Sequence, residues 1–186
     1  MKKIILPVFI LLALVQWLVP GKIIWNREKV LKNGKEWRFE TEPVDPSDPF
    51  RGRYIALNFM ESEFRKRTNA DLFPGQDIFV LLVQDKYGFA KIDDVLTKEP
   101  GRNIDYLKAK VRYSYTNSDT ALIHIEYPFE EFYMDEYKAP KAEKIYSQST
   151  RDTTKKTYAL IKVWKGLPAI ENVFVGNTPI SDLIKP

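Results

Sequence analysis

The sequence predicts a mostly β domain, an antiparallel barrel or sandwich with one short helix, carried behind a single N-terminal transmembrane helix. Three observations predict it. An uncharged apolar run occupies Ile4–Pro20. Through most of the remaining chain, apolar residues recur with a period of two, the signature of half-buried strands. One stretch, Pro140–Ser149, carries apolar residues at helical spacing instead.

The leader comes first. Lys2 and Lys3 precede Ile4–Pro20, 17 residues without a charge. At about 1.5 Å per residue this run spans about 26 Å, a little less than a hydrocarbon core of about 30 Å. Gly21–Trp25 can extend it, because Lys22 can snorkel to the headgroups, and Trp17 and Trp25 suit the interface. Pro7 falls near the start, where a helix tolerates it. A cleaved signal peptide needs small residues before the cut. Trp17–Gly21 has no Ala-x-Ala pattern, so an uncleaved signal anchor over 1–25 fits better than a cleaved peptide or a buried core helix. Residues 26–34 read as a short linker, and 35–186 as the β-rich domain. A basic start followed by an apolar core has the form of an export signal. The expected location is therefore the cytoplasmic membrane, single-pass, with the C-terminal domain periplasmic or otherwise extracytoplasmic.

Within the domain, Arg53–Met60 (RYIALNFM) puts Ile55, Leu57 and Phe59 on one face of a strand. Asp77–Val83 is apolar on both faces and reads as a central strand. Tyr87–Val95 pairs with it through a turn at Gln84–Gly88. Ile104–Tyr115 and Thr120–Tyr127 form a hairpin across Thr116–Asp119. Thr157–Trp164 and Ala169–Val175 close the domain, with Gly166 in the turn between them. The helix over Pro140–Ser149 starts on a proline, which suits the first helical position, and aligns Ala142, Ile145 and Tyr146.

Composition removes several functions. The chain has 186 residues with no Cys and one His, so disulfide frameworks, thiolate zinc sites, cysteine nucleophiles and His pairs are excluded. The formal charge is +4, but Lys2, Lys3 and Lys22 sit in a leader with no acid, leaving 26 basic against 25 acidic residues. A phosphate-backbone binder needs a clustered surplus, so nucleic acid is not an expected partner.

Residues 43–59 read PVDPSDPFRGRYIALNF. Three prolines hold an extended loop, and Gly52 allows a tight entry into the strand. This stretch resembles the GDYXXLXY family, named for a Gly-Asp-Tyr-x-x-Leu-x-Tyr run behind an Asp-Pro-x-Asp-Pro segment. Asp45, Asp48, Gly52, Tyr54 and Leu57 match; Arg53 replaces the family Asp and Phe59 the family Tyr. Glu131–Glu136, with Phe132, Tyr133 and Glu136, is similar to the family's aromatic stretch ahead of a short helix, and Tyr158–Pro179 to its closing hairpin. The resemblance spans about residues 26–180. It implies a membrane-associated exported protein, often encoded beside or fused to a multi-span membrane protein, with no established activity. Arg53 cannot replace a carboxylate as a base or metal ligand, so a structural role for the strand survives the substitutions more easily.

Other candidate sites read more plainly as structure. Asp45, Asp48, Asp93 and Asp94 could gather around a cation, but their spacing is not that of a calcium loop, and Asp-Pro steps mark turns. Ser47 with Lys86 or Lys91 as base would make a hydrolase of signal-peptidase type, yet a lysine base must be desolvated, and Lys86 sits in a polar turn. His124 reads as an exposed sheet histidine near Glu126. Glu130, Glu131, Asp135 and Glu136 form an acidic run followed by the basic residues Lys138, Lys141, Lys144, Arg151, Lys155 and Lys156, patches of opposite sign able to steer a partner. The expected function is thus a non-catalytic accessory or interaction domain, without cofactor or metal. It would contact a multi-span membrane protein, with Phe132, Tyr133 and Glu136 at the contact surface. An envelope hydrolase and a ligand-binding β-barrel with a Tyr- and Phe-lined cavity are the alternatives.

Overall fold

The computed structural model describes residues 2–43, 54–67, 72–101, 104–117, 119–152 and 155–185, with side chains in the first helix at 7, 9 and from 12 onward. Asp45, Ser47, Asp48, Gly52 and Arg53 lie outside the described residues. Helix α1 (Lys2–Asn33) leads into β1 (Lys35–Glu42). β2 (Tyr54–Ala56), β3 (Asn58–Phe59), β4 (Glu63–Arg67), β5 (Asp77–Gln84) and β6 (Ala90–Leu96) follow. Next come β7 (Tyr106–Asn117), β8 (Thr120–Glu126), β9 (Glu131–Tyr133) and α2 (Ala139–Arg151). The chain closes with β10 (Thr157–Trp164), β11 (Leu167–Val175), β12 (Thr178–Pro179) and the single-turn α3 (Ile180–Leu183).

The strands form two antiparallel five-stranded sheets, β12-β11-β10-β1-β3 and β4-β8-β7-β5-β6, and a ribbon of β2 with β9. The second sheet curls into a nearly closed barrel. Its edges, β4 and β6, are joined by side chains where a backbone ladder is missing. Lys66 Nζ donates to Asp94 Oδ1 at 2.6 Å and to the Val95 carbonyl at 2.7 Å, and Glu61 binds the Lys91 ammonium. Register shifts between Leu81 and Leu82 and between Val111 and Tyr113 mark bulges, which bend strands and increase their twist. Ile78, Val80, Leu107, Val111 and Ile123 have no exposed surface, so the barrel interior is a packed core. That core runs on into the first sheet through Phe39, Phe59, Tyr127 and Phe129, whose ring centroids lie 5.1–5.8 Å apart.

The β5–β6 turn rests on one carboxylate. Asp85 Oδ1 accepts from the amides of Phe89 (2.9 Å) and Tyr87 (2.8 Å), and Gly88 supplies a positive φ of 82°. Those amide donors, Phe89 first, hold the Asp85 carboxyl below the usual carboxylate range.

Several elements differ from the sequence expectation. Residues 26–33, read as linker, continue α1 to Asn33. Their Arg, Glu, Lys and Leu are good helix formers, and Val30 is buried against the first sheet. Arg53–Met60, read as one strand, is β2 and β3 in different sheets. At Leu57 the chain leaves the ladder, its amide donating to the Glu130 carbonyl at 2.8 Å. β1, β4 and α3 were not expected. Among the described residues no helix is long and apolar enough to cross a membrane; most α1 side chains before Leu12 fall outside that set.

Candidate functional site

Three surfaces carry the features that the sequence singled out. The first is the β2–β9 ribbon. Tyr54 pairs with Tyr133, Ile55 with Phe132 and Ala56 with Glu131, so two stretches some 75 residues apart form one unit. Alternation sorts their side chains. Ile55, Leu57 and Phe59 point into the core at 1%, 4% and 1% exposure. Tyr54 turns outward, its ring 5.4 Å from that of Tyr133. Of the expected contact residues, Phe132 is half-buried against the core, while Tyr133 and Glu136 are exposed. Tyr137, not singled out from the sequence, is 94% exposed beside them. The Tyr133 hydroxyl donates to Glu131, and α2 packs on the ribbon from behind.

The second surface is a polar groove of about 240 Å³. Arg112 Nη2 reaches both oxygens of Glu130, at 2.6 and 2.5 Å. Asn58 Nδ2 donates to Glu42 at 2.7 Å. His124 Nδ1 lies 3.1 Å from Glu63, with its ring 4.0 Å from that of Tyr113. The histidine is therefore covered, and its partner is Glu63 across the β4–β8 ladder, not Glu126 on its own strand. Each of these polar groups already has a partner within the protein, which favours a structural role for the groove over substrate binding. Among the described residues no cluster of three or more His, Asp or Glu could hold a metal ion. Asp94 bonds Lys66, and the Lys91 ammonium is held by Glu61, so Lys91 is not the desolvated lysine that a serine hydrolase needs. Lys86 lies over the Tyr87 ring at 4.9 Å, in the polar turn expected for it.

The third surface is a cleft of about 940 Å³ where α1 meets the domain, bordered by Lys35, Trp37, Ile104, Tyr106, Trp164 and Lys165. Gly166 sets its floor. It has φ +78°, and a Cβ there would stand 2.3 Å from Tyr106 Cε2, so only glycine lets the β10–β11 turn dock on β7. The Lys108 amide donates to the Gly166 carbonyl at 2.9 Å and completes that contact.

The family model of the GDYXXLXY protein matches residues 16–173, most of the chain. The chain belongs to the GDYXXLXY family. No curated protein and no solved structure matches it. The family's Leu and final Tyr positions, here Leu57 and Phe59, are core residues. The family Tyr, Tyr54, is half-buried on the opposite face, its ring tilted against Tyr133 of the aromatic stretch that pairs with it. The family's Gly-Asp step, here Gly52 and Arg53, falls outside the described residues.

Proposed function

We propose that this GDYXXLXY protein is a membrane-anchored accessory domain. In this reading it faces the periplasm or cell exterior and acts by contact with a multi-span membrane protein. One observation carries the reading. Between Phe9 and Trp25, ten large apolar side chains of α1 are more than half exposed. They project on all sides of the helix, not along one stripe. At roughly 1.5–2 kcal/mol of transfer free energy each, this surface represents on the order of 15–20 kcal/mol, more than the roughly 5–15 kcal/mol that stabilises a whole domain. Such a helix needs an apolar surrounding, and helices apolar all round are found in membranes or deep cores. The domain does not supply that core for the described side chains of α1, among which only Val30 is buried. The uncharged run Ile4–Pro20 is long enough for a bilayer with modest thinning.

The contact face that this reading favours is the ribbon side, where Tyr133, Glu136 and Tyr137 are exposed together. Tyrosines of this kind supply large contact area at low entropic cost. The test is in-membrane photocrosslinking from position 137 of the full chain. The expected result is one discrete adduct containing a multi-span protein, lost when Tyr133 is replaced by Ser. A chain recovered wholly in the aqueous fraction, or without any adduct in membranes, sinks the reading.

A further inference from the structure

The β10–β11 turn sits beside the last turn of α1. Lys35, two residues past the helix, is in register with Val163. Gly34 presses so closely on β10 that a Cβ would stand 2.9 Å from Lys162 Cβ and 3.0 Å from Val163 N. Among the described side chains of α1 only those at its end engage the sheet: Val30 is buried and Leu31 half-buried, whereas Leu14–Lys29 are exposed. The helix thus leaves the sheet instead of lying along it. The Lys165-Gly166 turn marks the rim of the domain from which it projects.

That rim is unusual in two ways. Ile104 and Leu167 are 49% and 43% exposed there, with Trp164 half-buried between polar neighbours. Lys165 also occupies the first position of a two-residue turn at φ +51°, followed by Gly166 at +78°. It is the sole non-glycine residue with positive φ among those described. Asn or Gly fits that position with less strain. The backbone gains nothing from a lysine, so the reason for it lies in the side chain. Its ammonium is 4.6 Å from the centre of the Trp164 ring and makes no salt bridge among the described residues. The other charges around the cleft are paired, Lys35 with Asp105 at 3.0 Å and Lys108 with Glu99 at 3.4 Å.

We propose that Trp164, Lys165, Leu167 and Ile104 form a footing that rests on the headgroups of the bilayer holding α1, with the Lys165 ammonium binding lipid phosphate. The inference rests on the anchor reading above. The same pairing of lysine over tryptophan recurs on the exposed surface of the helix at Lys29/Trp25 (5.3 Å). Ring and cation together match the headgroup layer, which is apolar on one side and charged on the other. The lengths agree. From Trp25 to Asn33 the helix rises about 12 Å, and the headgroup layer takes up about 5–7 Å of that, which leaves the remainder to the Trp164 and Lys165 side chains. The basic surplus of Lys22, Arg27, Lys29 and Lys32 over Glu28 favours an anionic surface.

The chain has no cysteine, so full-length single-cysteine variants each carry one environment-sensitive fluorophore cleanly. Leu167→Cys, Tyr137→Cys and Trp17→Cys are reconstituted in vesicles of phosphatidylcholine alone or with added phosphatidylglycerol. At 167 we expect a blue shift and quenching by a headgroup-attached quencher, both stronger with phosphatidylglycerol, while 137 stays water-like. Lys165→Asn, added to the 167 variant, should weaken the phosphatidylglycerol dependence at 167, leaving what Lys22, Arg27, Lys29 and Lys32 contribute, with the melting temperature unchanged or higher, because asparagine suits the turn. A water-like probe at 167 in both lipids, with the probe at 17 lipid-buried, overturns the footing and leaves the anchor intact. A water-like probe at 17 overturns the anchor, and the footing with it. If the dependence is undiminished in Lys165→Asn, the role of the ammonium is wrong.

Discussion

Two buried tyrosine hydroxyls stand in opposite situations. Tyr127 donates to the Glu61 carbonyl at 2.5 Å, whereas the Tyr146 hydroxyl is buried without a hydrogen bond of good geometry, facing the Thr41 hydroxyl and the Asn58 amide. Removing a satisfied hydroxyl orphans its partner, while removing an unsatisfied one relieves a desolvation cost. Tyr127→Phe should therefore lower stability by about 1–2 kcal/mol, and Tyr146→Phe should leave it unchanged or raise it, as read from urea denaturation midpoints. Titration adds a second contrast. Burial pushes the Tyr146 phenol up to about 12 and raises that of Tyr127 further. For an acid whose folded pKa exceeds its unfolded value, near 10, the native state holds the proton more tightly. Stability is complete below about pH 10 and falls as pH rises toward 12. At about 1.4 kcal/mol per unit, Tyr146 alone accounts for on the order of 2–3 kcal/mol of alkaline loss. Tyr146→Phe should flatten that part of the decline; an alkaline slope identical to wild type would show that this phenol is not responsible. Some of this scale was legible in the sequence. The inward positions Ile55, Leu57 and Phe59 follow from alternation alone. The partner of His124 did not, because Glu126 is near in sequence whereas Glu63 comes from the register of another strand.

At the scale of elements, the long apolar strands declared themselves and the charged ones did not. Asp77–Gln84 and Thr157–Trp164 are found close to the expected bounds, and Pro140–Ser149 lies within α2. β4 reads EFRKR, with one apolar residue in five, and no hydrophobic period can reveal it. Its place depends on closing the barrel, a long-range event. β1 carried a usable signal in Trp37, Phe39 and Thr41, all buried and all two apart. The motif strand shows the limit most clearly. A period of two fixes which side chains face inward but not which strand pairs with which, so β2 and β3 read as one. The barrel seam yields a prediction of its own. Lys66 is the sole donor bridging β4 to the Val95 carbonyl among the described residues. Its ion pair with Asp94 is partly exposed, so most of its worth lies in the bond to that carbonyl. Lys66→Ala should cost about 1–2 kcal/mol. Amide exchange should accelerate in β4 and β6 and much less in β5 and β7, which keep their ladders. Uniform acceleration across all five strands would mean that the seam has no separate stability.

At the scale of the molecule, the leader and domain form one piece: the helix enters the sheet through Val30 and Gly34 without a flexible joint. Whatever surrounds α1 therefore sets the orientation of the ribbon, the groove and the cleft. If α1 is the proposed anchor, the side of the membrane that the domain faces is a matter of charge and length. Lys2, Lys3 and the amino terminus lie before the uncharged run; Lys22, Arg27, Lys29, Lys32 and Lys35 lie after it, so counting basic residues near the span favours retention of the domain. Against this, a long domain translocates largely regardless of its own charge, and a basic start ahead of an apolar core is the form of an export signal. On the anchored reading proposed above the second effect wins, because a domain of this length follows its signal largely regardless of nearby basic residues. The absence of cysteine allows a direct test. A single cysteine at position 137, on the most exposed tyrosine of the ribbon face, should react with a membrane-impermeant maleimide in intact cells as completely as after lysis. Labelling that appears only after lysis would place the domain inside. The partner would then be a cytoplasmic face of the same membrane, and the opposite-sign patches around α2 would have to dock there.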